Sequence, residues 1–209
     1  NVALLKNAME LWRAASRTSD AVAPMLYHYS WHCFNSFFVY TFFRWEPEHS
    51  ASHGVRISKW SDNPEDIEIQ LRDGGIFQRL IDTWTLLGAS LAFSPFLPIF
   101  EGDKIEFAPN DHYLLKNSNF LSVKQLLSFN SGDFERALHS DLRNRLINCR
   151  FLINSIHLPT DALMNYLIIF VASSLARYRP ILWHSILIGE KHEQSLLAIK
   201  SKGALLEYT

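Results

Sequence analysis

The stretch from 24 to 45, "PMLYHYSWHCFNSFFVYTFFRW", limits the fold more than any other part of this chain. Thr18, Ser19 and Asp20 are cap-type residues just ahead of it, and Pro24 suits the first turn of a helix. Its aromatic residues fall at nearly every angle around a helix axis. A helix with one apolar stripe can lie on a surface, but one apolar all round has to be covered on two sides. The segment is therefore expected to be a central helix. Aromatic residues make up 13% of the chain, with 15 Phe and 6 Trp, a load that core and interface have to absorb.

The elements around it come from period and punctuation. Leu4, Ala8, Leu11, Trp12 and Ala15 recur at helical spacing, which predicts an amphipathic helix over 3–17. "ALMNYLIIFVASSLA" (162–176) is the most apolar run, interrupted by Asn165, Ser173 and Ser174. It falls short of the roughly 20 apolar residues a membrane span needs, so it reads as a core helix, entered at Pro159 and ending near Tyr178. Pro180 then forces a break, since it lacks an N–H and disfavours helical geometry at Arg179. Further helices are expected at 122–129, at 133–154, from Pro180 onward and in "EQSLLAIKSKGALLEY" at the end of the chain.

Residues 46–119 have another character. "EPEHSASHGVRISKWSDNPED" reads as loop, "IEIQL" (67–71) alternates as a half-buried strand does, and "IFQRLIDTWTLLG" reads as a helix closed by Gly88. Pro95, Pro98 and Pro109 break up the segment 91–119, with "KIEFAP" (104–109) as a second short strand. The fold class expected is mainly α: one helical-bundle domain over 1–209, carrying a small β-hairpin insertion at about 46–119.

A net charge of -1 excludes nucleic-acid binding driven by bulk charge, so any such binding would need a local basic patch. Cys33 and Cys149 make no disulfide framework, which points to a reducing cytoplasm. The opening "NVALLKNAMELWRAA" carries polar residues throughout, unlike a signal peptide. No phosphate-cradling Gly-rich loop, nucleophile elbow, CxxC or HExxH is present, so no cofactor is expected. His28 and His32, four apart, have a spacing that can serve zinc. They are read instead as buried, hydrogen-bonded histidines, and no metal site is expected.

Two features bear on function. Arg179 and His184 have four intervening residues, as in one class of helical ribonucleases, where an Arg stabilises phosphorane charge and a His moves a proton. Arg177–His184, Arg150–His157 and Arg44–His49 have permitted spacings as well. With 12 Arg and 9 His, roughly one or two such pairs arise by chance, so spacing alone carries little weight. The second feature is a stripe of Arg136, Arg143 and Arg150, seven residues apart with His139 among them. It could track a phosphate backbone or an acidic partner, or be a solvated helix face.

Several stretches in order resemble the YaaC-like family of bacterial proteins: the aromatic helix, His53-Gly54 after a loop, Gly75-Ile76-Phe77, and "NYLIIFVASSLARYRPILW" (165–183). The resemblance runs from about residue 8 to 188. Its most specific part is Arg177-Tyr178-Arg179-Pro180 with Trp183. It implies a helical core like that of the HEPN superfamily, whose members include dimeric ribonuclease toxins, antiphage effectors and non-catalytic scaffolds. The resemblance carries two expectations. One is a protein-interaction module in a stress or antiphage assembly, working as a homo-oligomer or with a partner protein through residues such as Arg177. The other is a metal-independent endoribonuclease acting on RNA, in which the spacing, not the family motif, supplies His184 as the partner of Arg179.

Overall fold

The computed structural model describes residues 2–43, 53–72, 75–77, 80, 120–129 and 158–189. These are mostly helical, with one small antiparallel sheet. In chain order they form α1 (Val2–Ala15), α2 (Ala23–Phe43), β1 (Val55–Lys59), a 3-10 turn (Pro64–Asp66), β2 (Glu68–Leu71), β3 (Phe120–Ser122), α3 (Val123–Ser128), α4 (Leu158–Tyr178) and α5 (Pro180–Ile188). The expected helices at 133–154 and at the end of the chain, the strand at 104–109 and Gly88 lie outside the described residues.

α2 packs against α1 on one side and α4 on the other, as a helix apolar all round requires. The Ser30 hydroxyl donates to the Ala8 carbonyl at 2.7 Å in a buried contact, and Trp12 meets Tyr27 edge-on at 4.7 Å. One part of the expectation needs correction. α2 buries the polar residues His28, Ser30, Asn35 and Ser36 and leaves Tyr29 and Phe34 exposed. Polar groups inside a protein survive when they find partners: Ser30 finds the Ala8 carbonyl and His28 Nε2 finds His53, while Asn35 Nδ2 has none among the described residues.

The β region holds a three-stranded meander, ordered β1-β2-β3, where the sequence pattern predicts a hairpin. Val55–Lys59 is a strand, not loop, and Phe120–Ser122 adds the third. Arg56 sits opposite Gln70, and its Nε–H donates across the pair to Gln70 Oε1 at 2.6 Å. The inner face (Val55, Ile67, Ile69, Leu71, Leu121) joins Val123 and Leu126 of α3 and Leu163, Leu167 and Val171 of α4 in one core. Each such side chain, fully buried, contributes roughly 1.5–3 kcal/mol. Ser122 turns strand into helix with a capping box: its hydroxyl accepts from the Gln125 N–H and its own N–H donates to Gln125 Oε1.

α4 is buried at every position from 163 to 175, as its near-continuous apolar sequence demands. Pro180 does end it. The Arg179 N–H closes the last turn of α4 on Leu175, and the Arg179 carbonyl opens α5 by accepting from Trp183. The residue between is out of the helical region, at φ -138°, ψ 56°. Trp183, only 2% exposed, donates its indole N–H to the Asp20 carbonyl at 3.1 Å. It thereby fastens α5 to the connection between α1 and α2. Among the described residues no helix is long and apolar enough to cross a membrane.

Candidate functional site

The site starts at the entry to β1. Gly54 has φ +70°, a region where a Cβ would be strained. The chain turns there, and the His53 carbonyl points inward. It accepts from the Tyr166 hydroxyl at 3.2 Å and from the Phe77 N–H at 3.1 Å. The Gly54 carbonyl accepts from the Arg72 N–H, which closes the end of the β1–β2 ladder. With its backbone held this way, His53 lays its ring against α2. His53 and Gly54, read from sequence as signature residues, thus form a corner that delivers a side chain to the interior.

His53 meets both histidines of α2. The ring centroids are 4.6 Å from His28 and 4.9 Å from His32, and His28 Nε2 and His53 Nδ1 share a hydrogen bond at 3.2 Å. Phe170 and Tyr166 of α4 close the far side of His28. Nδ1 of His28 and Nδ1 of His32 are buried with no hydrogen-bond partner. An imidazolium carries two N–H groups and needs two acceptors, so charging either ring would bury an unmatched donor. Burial is accordingly the main force lowering the pKa of each. His28 lies well below the usual histidine range, pushed further by His53, His32 and the Arg177 cation. His32 falls to about 4, with His53 as the second cause. His53 is lowered by burial and then by Arg177. At neutral pH this is a cluster of three uncharged rings. The i, i+4 pair on α2 is thus drawn into a ring cluster with His53. Among the described residues no group of three or more His, Cys, Asp and Glu side chains is arranged to hold a metal ion.

The cluster continues outward as a ladder of rings and cations. Tyr29 lies 5.8 Å from His28 and 6.4 Å from His53. The Arg177 guanidinium lies between two tyrosines, 5.2 Å from the Tyr29 centroid and 5.1 Å from that of Tyr178. Tyr178 meets Trp60 edge-on at 6.4 Å, Arg179 lies over Trp60 at 6.0 Å, and Arg179 ends the ladder on Asp62 at 2.6 Å. Trp60 and Asp62 belong to the loop between β1 and β2, whose 3-10 turn starts at Pro64. Contacts of this kind, a cation over a ring, are worth about 0.5–1 kcal/mol each where exposed.

The residues read from sequence divide sharply. Arg177, Tyr178 and Arg179 come together in the ladder, with Pro180 setting the break that aims them. Trp183 is on the buried side of the junction. His184 is exposed on α5, and among the described residues no hydrogen bond or ion pair joins it to Arg179, whose guanidinium meets Asp62. Arg179 spends its guanidinium on a carboxylate of its own chain, its side chain 39% exposed against 99% for Asp62. Arg136, His139, Arg143 and Arg150, with the pairs Arg150–His157 and Arg44–His49, lie outside the described residues. So does Cys149. Cys33 is half-buried on α2, and burial raises its thiol pKa, which keeps it protonated and poorly nucleophilic.

Sequence reasoning missed Tyr29, Trp60, Asp62 and Tyr166. Trp60, an aromatic residue in the polar loop "SKWSDNP", was the one visible signal. Comparison of the chain with protein-family models, with curated proteins and with solved structures returns no match.

Proposed function

We propose that this chain is a non-catalytic helical binding module that engages a partner protein through the exposed end of the ladder: Tyr29, Arg177, Tyr178 and Trp60. The observation that carries the reading is the Arg179–Asp62 pair at 2.6 Å. A catalytic arginine has to be free to meet a phosphate and has to share a cleft with its histidine. Arg179 is occupied within its own chain, and among the described residues no hydrogen bond or ion pair joins His184 to it. An exposed surface of aromatic rings and arginines is, in contrast, the composition that protein interfaces favour. The resemblance to YaaC-like proteins fits such a module within a bacterial stress or phage-defence assembly.

The test is incubation of the purified chain, and of its His184→Ala and Arg179→Ala variants, with total RNA in the presence of EDTA. The expected result is intact RNA in every case. Cleavage by the wild type that His184→Ala abolishes would overturn the module reading in favour of an RNA-cutting enzyme.

A further inference from the structure

We infer that the Arg177 guanidinium, framed by Tyr29 and Tyr178, is the docking point for a carboxylate of an acidic peptide segment on the partner. This rests on the module reading and names the chemistry its surface recognises. The support is an internal comparison. Arg177 and Arg179 leave the same helix junction two residues apart, and each lies over aromatic rings. Arg179 has a carboxylate, Asp62, at 2.6 Å. Arg177 has only neutral hydroxyls, Tyr178 at 3.3 Å and Ser173 at 3.4 Å. Among the described residues no carboxylate pairs with it. A planar guanidinium offers five N–H donors suited to a two-point carboxylate contact, and the Tyr29 and Tyr178 rings keep it in place for one.

The surroundings favour an anion and select its kind. The titratable groups that face Arg177 are His28 and Tyr29 of α2, His53 ahead of β1 and the neighbouring Tyr178; among the described residues, no acid pairs with it. A nucleic-acid strand would require several unpaired cations in a row. Among the described residues this surface offers one cation without a carboxylate partner, Arg177. A single carboxylate flanked by apolar contact suits it better.

A bound carboxylate would also offset the Arg177 charge felt by His53 and His28. Protons would then bind those rings more readily in the complex than in the free protein. By linkage, docking takes up protons, and it strengthens as pH falls toward the lowered pKa of His53.

The experiment titrates the acetylated, amidated tetraglutamate peptide into the whole chain, followed by calorimetry and by the ring resonances of Tyr29 and His53. We expect saturable binding that shifts both resonances, weakens about tenfold or more in Arg177→Gln, weakens less in Arg177→Lys, and survives Lys6→Gln on α1, which removes one positive charge elsewhere. Asp62→Asn should strengthen binding by freeing Arg179. Circular dichroism of each variant confirms that it is folded. Absence of saturation or equal binding by Arg177→Gln would overturn the inference. So would Arg177-dependent binding of single-stranded oligouridine tighter than that of the peptide, which would give the surface to RNA. None of these outcomes produces RNA cleavage, so failure here and failure of the module reading are distinguishable.

Discussion

At the inner end of the ladder, His28, His32 and His53 lie ring against ring beneath α4, with buried nitrogens that no partner reaches. At the outer end, Arg179 meets an Asp62 side chain that is 99% exposed. Both ends are polar, yet water makes them opposites. Inside, the cost of charging a ring without acceptors fixes the neutral state, so the histidines stabilise the fold only while uncharged. Outside, solvent screens the ion pair until it contributes almost nothing to stability. Arg177 stands where the two regimes meet, near enough to bias the histidines and open enough to receive a ligand.

The contrast can be broken first at the helix junction, which has its own inner and outer side. Trp183→Ala removes a buried indole and its bond to Asp20. It should destabilise the protein by about 3–5 kcal/mol in urea unfolding, whereas Tyr178→Ala, on the exposed side, should stay within about 0.5 kcal/mol. Equal effects would erase the distinction between the two faces.

Acid should produce the next largest effect. A histidine whose pKa is lower folded than unfolded takes up protons on unfolding, so stability is complete above pH 6.5 and drains away as pH falls toward the folded pKa. For His32, at about 4 in the fold, the loss across that window is on the order of 3 kcal/mol. His28 and His53 act in the same direction. Urea unfolding at pH 7.5 and pH 4.5 measures it, and His32→Phe should flatten the slope between them. A wild-type stability that does not change with pH would show that the inner rings are not the neutral cluster described.

Smaller effects are expected at the corner that inserts His53. Gly54→Ala should cost about 1–2 kcal/mol, because it places a Cβ at φ +70°. Tyr166→Phe should cost about 1 kcal/mol for the lost bond to the His53 carbonyl. Smallest of all, Asp62→Ala should change the unfolding midpoint by no more than about 0.5 kcal/mol would. A loss above 2 kcal/mol there would make the outer pair structural and erase its contrast with the buried rings.

How much could be read from the chain itself depended on how local the cause was. Pro180 dictates a break wherever it falls in a helix, and the α4–α5 junction lies where its sequence put it. "IEIQL" alternates for long enough to mark β2. "VRISK" alternates over just two apolar residues, Val55 and Ile57, and sits among Ser, Asp and Pro, so β1 read as loop. β3 is three residues long, too short for any period to show. The Ser122–Gln125 capping box, a helix start that sequence can announce, marks where it ends. The ladder was legible only in pieces. Arg177, Tyr178 and Arg179 stood out as neighbours, but their rungs Tyr29, Trp60 and Asp62 come from α2 and the β1–β2 loop. Nothing local encodes which distant ring a guanidinium will cover. The exposure of Tyr29 above a buried His28 is likewise a tertiary outcome, because the helix pattern alone ranks both as interior.

The coupling of the two ends can be read directly by following the three histidine rings through a pH titration by NMR, in the wild type and in Arg177→Gln. All three should titrate below 6.5 in the wild type. Loss of the Arg177 charge should raise His53 and His28 while leaving them below 6.5, since burial remains. A His53 that titrates at or above 6.5 in the wild type, or that ignores the substitution, would contradict the joining of a neutral interior cluster to an open cation at the surface.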